Sequence, residues 1–232
     1  MKTRQTPCSL IGILDDGWAG LSDAARQRIE TARVVIGAGR TLDLVRPHLA
    51  PEATVRDMDG ALSTVPEWVR AAQADGLPVV VLATGDPLCH GLGTWLDGKL
   101  DGQCDILPNV STLQLACARF KQSWQDIEIS SCHTRDAGEW IPGATPDHGL
   151  YPAMRAIARH PRVFLFTGPE NDPARLARAL LTAGYADDEI TLSVACRLQL
   201  PDEQLFPALT LEAAAHQNFP QPNVVLVQRK DS

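Results

Sequence analysis

The stretch Ala83-Thr84-Gly85-Asp86-Pro87-Leu88-Cys89-His90-Gly91-Leu92-Gly93 sets glycines around a carboxylate, a thiol and an imidazole, directly after the apolar run Val79-Val80-Val81-Leu82. A glycine-rich turn that follows a buried strand is where ligands settle in parallel sheets, beyond the carboxyl ends of the strands. Its chemistry is not that of a phosphate cradle. Asp86 would repel an anion, and Pro87 removes a backbone donor. A carboxylate at this place suits a ligand that offers hydroxyls or a positive charge. Two readings stay open on these residues alone, a cofactor turn and a structural turn. Two other turns after strands are also rich in glycine. Gly12 to Gly17 has the outer spacing of a P-loop, but Trp18 and Ala19 stand where lysine and a hydroxyl residue must bind phosphate and magnesium, so ATP hydrolysis is rejected. Gly37-Ala38-Gly39 lacks the third glycine of a dinucleotide fingerprint, Leu42 taking its place, and reads as a simple turn.

The chain that must position these turns has 232 residues, 44% hydrophobic and 21% charged, so one or two soluble domains are expected. Neither a run of 18 apolar residues nor a signal-like start is present, which predicts a cytoplasmic protein with no membrane association. A formal net charge of -7 has the wrong sign for a phosphate-backbone binder, and no nucleic-acid partner is expected. Cys8, Cys89, Cys104, Cys117, Cys132 and Cys196 form no C-x-x-C pair, and the histidines have no ligand spacing; no metal is expected.

Strands and helices alternate. Ser9 to Ile13 reads as a strand, Ser22 caps a helix from Asp23 to Ala32, and Val34 to Ile36 is a second strand ending at Gly37. Pro66 opens a helix stopped by Gly76 before the continuous apolar strand Val79 to Ala83, whose pattern suits a strand covered on both faces. A mostly parallel α/β sheet follows. Beyond residue 108 the chain predicts a helix from Ser111 to Arg119 and a strand from Ile127 to Ser130. After these come a long loop or insertion from Thr134 to Pro152, a strand from Val163 to Phe166, and a helix from Pro173 to Thr182 capped by Asp172. Strands from Ile190 to Ala195 and Val224 to Val227 complete the pattern. Domains 1–108 and 109–232, each α/β, are expected.

Gly85-Asp86-Pro87 with its trailing glycines, Ile11-Gly12-Ile13, Pro108-Asn109-Val110-Ser111-Thr112 and Pro222-Asn223-Val224-Val225 together resemble the tetrapyrrole methylases, the class III S-adenosylmethionine methyltransferases. Asp15-Asp16-Gly17, Leu113-Gln114-Leu115-Ala116, Trp124-Gln125-Asp126 and Ser131-Cys132-His133-Thr134-Arg135 are most similar to the members that methylate C5 of precorrin-6Y or cobalt-precorrin-7 in cobalamin synthesis. The likeness runs through nearly the whole chain. It departs at Leu14 and Thr134, where the family pattern has glycine, and at 137–151, which reads as extra sequence.

The resemblance implies two α/β domains of the tetrapyrrole methylase type with the cofactor cleft between them, S-adenosylmethionine as cofactor and a precorrin or cobalt-precorrin as substrate. It also implies a homodimer, with decarboxylation and C15 methylation left to a separate protein. Cofactor contacts are expected from Leu14, Gly85, Asp86, Cys89, Ser111, Thr112, Phe166, Pro222 and Asn223. After methyl transfer a proton must leave the methylated carbon, and Asp15, Asp16 and His133 are the catalytic candidates, each with a structural alternative as turn or packing residue. His90 and Arg135 are the candidates for binding the substrate, whose several carboxylates demand local cations in an acidic protein. The group Arg155, Arg159, His160 and Arg162 reads instead as an exposed helix face. Two other functions remain open: a methyltransferase of the same fold acting at another macrocycle carbon or on protein or ribosomal RNA, and a non-catalytic nucleotide or small-molecule binding module.

Overall fold

In the computed structural model, which describes residues 8–134 and 138–230, the chain divides into two units, Met1–Ser111 and Thr112–Ser232. Unit 1 alternates strand and helix: β1 (Cys8–Ile13), α1 (Asp23–Glu30), β2 (Val34–Gly37), α2 (Gly39–Val45), β3 (Thr54–Asp57), α3 (Val65–Ala74), β4 (Val79–Thr84), α4 (Gly93–Lys99) and β5 (Cys104–Leu107). The strands lie in the order β3-β2-β4-β1-β5, and every pairing is parallel. Side chains alternate across such a sheet, so β4 serves two cores. Val79, Val81 and Ala83 pack with Val65 and Val69 of α3 and Leu96 of α4, whereas Val80 and Leu82 pack with Ala25 and Ile29 of α1 and Leu42 and Val45 of α2. Covered on both faces, the strand needs no polar positions, and truncation of the fully buried Leu82 to alanine costs about 2–5 kcal/mol.

Unit 2 is built from α5 (Thr112–Phe120), β6 (Glu128–Ser131), α6 (Tyr151–Arg159), β7 (Arg162–Phe166), α7 (Pro173–Thr182), β8 (Ile190–Cys196), β9 (Gln204–Leu209), α8 (Leu211–Ala215) and β10 (Asn223–Arg229). Its order is β6-β7-β10-β8-β9, with β6 and β7 parallel and the remaining pairings antiparallel. One face packs on α6, α7 and α8 through residues such as Leu165, Val194 and Val225; the other packs on α5 through Phe164, Ala195 and Leu226. The expected caps are formed. Ser22 Oγ accepts from Ala25 N at 3.2 Å, and Asp172 Oδ1 accepts from Arg175 N at 2.7 Å. No helix among the described residues is long and apolar enough to cross a membrane.

The structure differs from the sequence expectation at three places. Gly37-Ala38-Gly39 is more than a turn, because α2 begins at Gly39, whose amide donates to Asp59 Oδ2 at 3.0 Å. The loop after β6 ends before Pro152, which lies in the first turn of α6, where proline costs no hydrogen bond. Arg162 leaves the supposed helix face: it starts β7 and donates to Ser123 O at 2.6 Å and Gln122 Oε1 at 3.3 Å.

Candidate functional site

All strands of unit 1 run the same way, so the segments following β1, β4 and β5 emerge at one edge of the sheet. They come together closely. A Cβ placed on Gly12 would lie 2.0 Å from Gly85 O and 2.8 Å from Asn109 N, so β1 admits only glycine there. Gly85 N donates to Ile13 O at 2.9 Å, and Asn109 Nδ2 reaches Gly12 O at 3.3 Å and Gly20 O at 3.4 Å. Gly85 has φ +68, a conformation that costs a side-chain-bearing residue about 1–2 kcal/mol. The nearest atoms to a Cβ built there are Ser111 Cα and Val110 O at 3.5 Å and Leu14 Cδ2 at 3.8 Å. Those three segments thus meet around Gly85.

The rest of the loop is wound tightly. Asp86 Oδ1 accepts from Leu88 N at 2.9 Å, Cys89 N donates to Asp86 O at 3.1 Å, and Gly93 N donates to Pro87 O at 2.8 Å as α4 begins. Asp86 is half-buried. His90 is exposed and held at φ +53, a left-handed conformation that histidine tolerates better than most residues. Burial pushes the Cys89 thiol up, the Asp86 carboxylate adds to this, and a hydrogen bond with the buried Ser111 side chain offsets part of it. Cys89 is therefore a thiol at neutral pH and not a thiolate nucleophile. Leu88 and Val110 leave exposed apolar surface on the same loops.

Asp15 and Asp16 differ in their surroundings. The Asp15 carboxylate is largely covered and pairs with Arg40 Nη1 at 3.3 Å, a cation from the start of α2. Asp16 folds over the 3-10 turn Gly17–Gly20, where a Cβ on Gly20 would strike its Oδ2 at 2.2 Å. Leu14 is buried immediately after β1.

In unit 2 a second group gathers at one edge of the sheet, where β6 and β7 end and the antiparallel β10 begins. His133 Nδ1 lies 2.8 Å from Thr167 O, and His133 N donates to Ser131 Oγ at 3.2 Å. A carbonyl can only accept, so Nδ1 carries the proton. Gly168 leaves space for the ring, since a Cβ there would sit 3.2 Å from His133 Cα and 3.5 Å from Nδ1. His133, Thr134, Pro169 and Glu170 line a hollow of about 240 Å³. Phe166, the last residue of β7, is half-buried and packs edge-on against Phe164 at 5.2 Å. Pro222 is exposed and its carbonyl accepts from Arg197 N at 2.8 Å, whereas Asn223 is buried. Thr112 begins α5 in this unit and is half-buried. Arg135 lies outside the described residues.

The structure thus gathers Leu14, Asp15, Asp16, Gly85, Asp86, Cys89, His90 and Ser111 in unit 1, and His133, Phe166, Pro222 and Asn223 in unit 2. Sequence reasoning missed Arg40, Thr167 and Gly168. The turn Gly168-Pro169 directly after a strand was the available signal for the last two.

Residues 7–215 match the family model described as Tetrapyrrole (Corrin/Porphyrin) Methylases. The chain is 32% identical over 186 residues to a precorrin-6Y C(5,15)-methyltransferase [decarboxylating] of Sinorhizobium sp, covering 79% of this chain and 41% of that relative. It is 28% identical over 177 residues to the cobalt-precorrin-7 C(5)-methyltransferase of Salmonella typhimurium, covering 76% and 78% of the two chains. The chain therefore spans about two fifths of the length of the first relative. Its fold is similar to that of the uroporphyrin-III C-methyl transferase from Thermus thermophilus complexed with S-adenyl homocysteine, with a TM-score of 0.67, 21% identity and coverage of 96% and 92%.

Proposed function

Because the chain belongs to the tetrapyrrole (corrin/porphyrin) methylases, we propose that it methylates C5 of a precorrin, precorrin-6Y or cobalt-precorrin-7, in cobalamin biosynthesis. Methylases of this family use S-adenosylmethionine. The observation that carries the reading is the convergence of the segments after β1, β4 and β5 on Gly12 and Gly85, beside Leu14 and Ser111, the place read as the cofactor cradle. The C5 position is supported by the activities for which the two relatives above are named. A cytoplasmic homodimer belongs to the same proposal.

The residues present fit the cofactor. Gly85 lacks the side chain that would fill the cradle, and Asp86 supplies a carboxylate suited to hydroxyls or an ammonium group. When bound, S-adenosylmethionine supplies an electrophilic methyl group on a sulfonium sulfur. Leu14, Cys89 and Ser111 would line its place, with the Cys89 thiol protonated and inert beside the electrophile. Transfer to carbon needs orientation and exclusion of water more than covalent help from the protein. The exposed Leu88 and Val110 provide apolar surface for that purpose. His133 is the preferred proton acceptor, because its Nδ1 is engaged by Thr167 O and its Nε2 is then the basic nitrogen. Asp15 is neutralised by Arg40 and Asp16 is folded onto its own turn, so both act in shaping the segment after β1.

Incubating the purified protein with S-adenosylmethionine and either precorrin tests the proposal. Mass spectrometry is expected to show one added methyl group, and NMR to locate it at C5. A methyl group at another carbon would leave the family reading and remove the C5 assignment. No transfer to either precorrin, together with no calorimetric binding of S-adenosylhomocysteine, would remove both.

A further inference from the structure

Asn223 stands where a ligand contact is expected, yet both ends of its side chain are used inside the protein. It is 8% exposed, its Nδ2 donates to Pro220 O at 3.1 Å, and the hydroxyl of Thr167 lies 2.5 Å from its backbone O and 2.6 Å from its Oδ1. Thr167, also 8% exposed, is the residue whose carbonyl accepts from His133 Nδ1. Strand register explains the meeting. Val224 pairs with Phe166 across β10 and β7, so Asn223 and Thr167 are the next opposed pair, and Ser131 pairs with Phe166 across β6 and β7, which brings His133 to the same edge.

We propose that Thr167 and Asn223 are positioning residues, and that the buried contact of the Thr167 hydroxyl with the backbone and side-chain oxygens of Asn223 fixes the carbonyl that selects the Nδ1–H form of His133. This rests on the reading of His133 as proton acceptor. A neutral imidazole has one donor nitrogen and one acceptor nitrogen, and the bond made at one decides the state of the other. Held by Thr167 O, the ring keeps its proton on Nδ1 and its lone pair on Nε2, the atom that can take a proton from substrate. The backbone of Thr167 must not drift for this to hold. Its hydroxyl is tied to Asn223, Asn223 is tied to the backbone before β10, and Gly168 lets the ring approach closely enough for the 2.8 Å bond. A chain of hydrogen bonds thus runs from Pro220 to an exposed imidazole that edges the hollow formed with Thr134, Pro169 and Glu170.

The test compares the parent with Thr167→Val, Thr167→Ser and Asn223→Ala by long-range ¹H–¹⁵N correlation of the His133 ring and by steady-state methyl transfer to the precorrin. The parent and Thr167→Ser are expected to show a protonated Nδ1 and a bare Nε2 in the neutral ring. Thr167→Val is expected to mix the two tautomers and to lose about tenfold in kcat, with KM for cofactor and tetrapyrrole held within about twofold, whereas Asn223→Ala, which keeps the backbone acceptor, is expected to fall between Thr167→Val and the parent. A parent ring protonated on Nε2 would overturn the proposal, and so would a Thr167→Val protein with the parent's tautomer and kcat. Turnover of His133→Gln at the parent rate would overturn the role of His133 as base; the spectra, which need no substrate, separate that failure from a failure of positioning.

Discussion

Replacing Gly12 by alanine adds one methyl group where β1 passes between the segments that follow β4 and β5. That methyl would start 2.0 Å from Gly85 O and 2.8 Å from Asn109 N, both backbone atoms with no rotamer to adopt. Ordinary carbon–oxygen contact requires β1 and the segment after β4 to part by more than about 1 Å. The bonds from Gly85 N to Ile13 O and from Asn109 Nδ2 to Gly12 O lie in the path of that movement, each contributing about 1 kcal/mol. Overpacking of this kind costs about 3 kcal/mol, which for a chain of this size lowers the melting temperature by roughly 6–12 °C. A shift of about 1 Å in a binding loop can cost on the order of 100-fold in function, and affinity for S-adenosylhomocysteine is expected to fall by at least tenfold. Gly98→Ala is the matched control, because Gly98 is an exposed residue of α4 with open space where its Cβ would go. The same added methyl is expected there to raise stability by about 0.5–1 kcal/mol. Calorimetric melts and titrations of both variants decide the matter. If Gly12→Ala melts with the parent and binds the product equally well, the three segments do not converge at Gly12, and the cradle derived from that convergence is lost.

Asp86→Ala is expected to weaken S-adenosylhomocysteine binding by about tenfold while changing stability by no more than about 1 kcal/mol, since the structure gives its Oδ1 the Leu88 amide within the same loop; a melting point that falls with unaltered affinity would return the loop to a structural role. Acid stability should respond to Glu203. The Arg119 guanidinium, 2.6 Å away, and the Gln199 amide hold its carboxyl below the usual carboxylate range. A depressed folded value contributes stability above the ordinary carboxylate range and loses it as pH falls through the folded value. Glu203→Gln should therefore melt lower than the parent near neutrality, by an amount on the order of 1 kcal/mol given the exposure of Arg119, and converge with it in acid. A constant gap at all pH values would contradict this assignment.

Buried strands and capped helices were readable because burial leaves a compositional trace. The run Val79 to Ala83 has no polar residue because α1 and α2 cover one face and α3 and α4 the other. Ser22 and Asp172 announce helices by side-chain chemistry that the structure uses directly. The strands passed over lie at sheet edges. Residues of β3 and β5 are exposed or half-buried throughout, and β9 has four exposed residues, so none carries a clean alternation. The start of α2 was missed because Ala38 supplies no side-chain cap; the compensating bond comes from Asp59, twenty residues later. Site residues divide in the same manner. The Asp86 loop is contiguous in sequence and could be named from its glycines. The partners of Asp15 and His133 are 25 and 34 residues away, in Arg40 and Thr167, and only strand pairing reveals them.

The placement of β10 bears on the order in which the molecule can be assembled. All strands of the first sheet are available once the chain has been made as far as Leu107, so that unit can close while the remainder is still being synthesised. The second sheet has β10 between β7 and β8, and it lacks its middle until Asn223–Arg229 arrive. Until then β7 and β8 each present an unpaired edge, the state most exposed to wrong pairing with another chain. Loss of Asn223–Arg229 would open the centre of a sheet, and the edge that holds Thr167 and His133 stays incomplete until that strand is made.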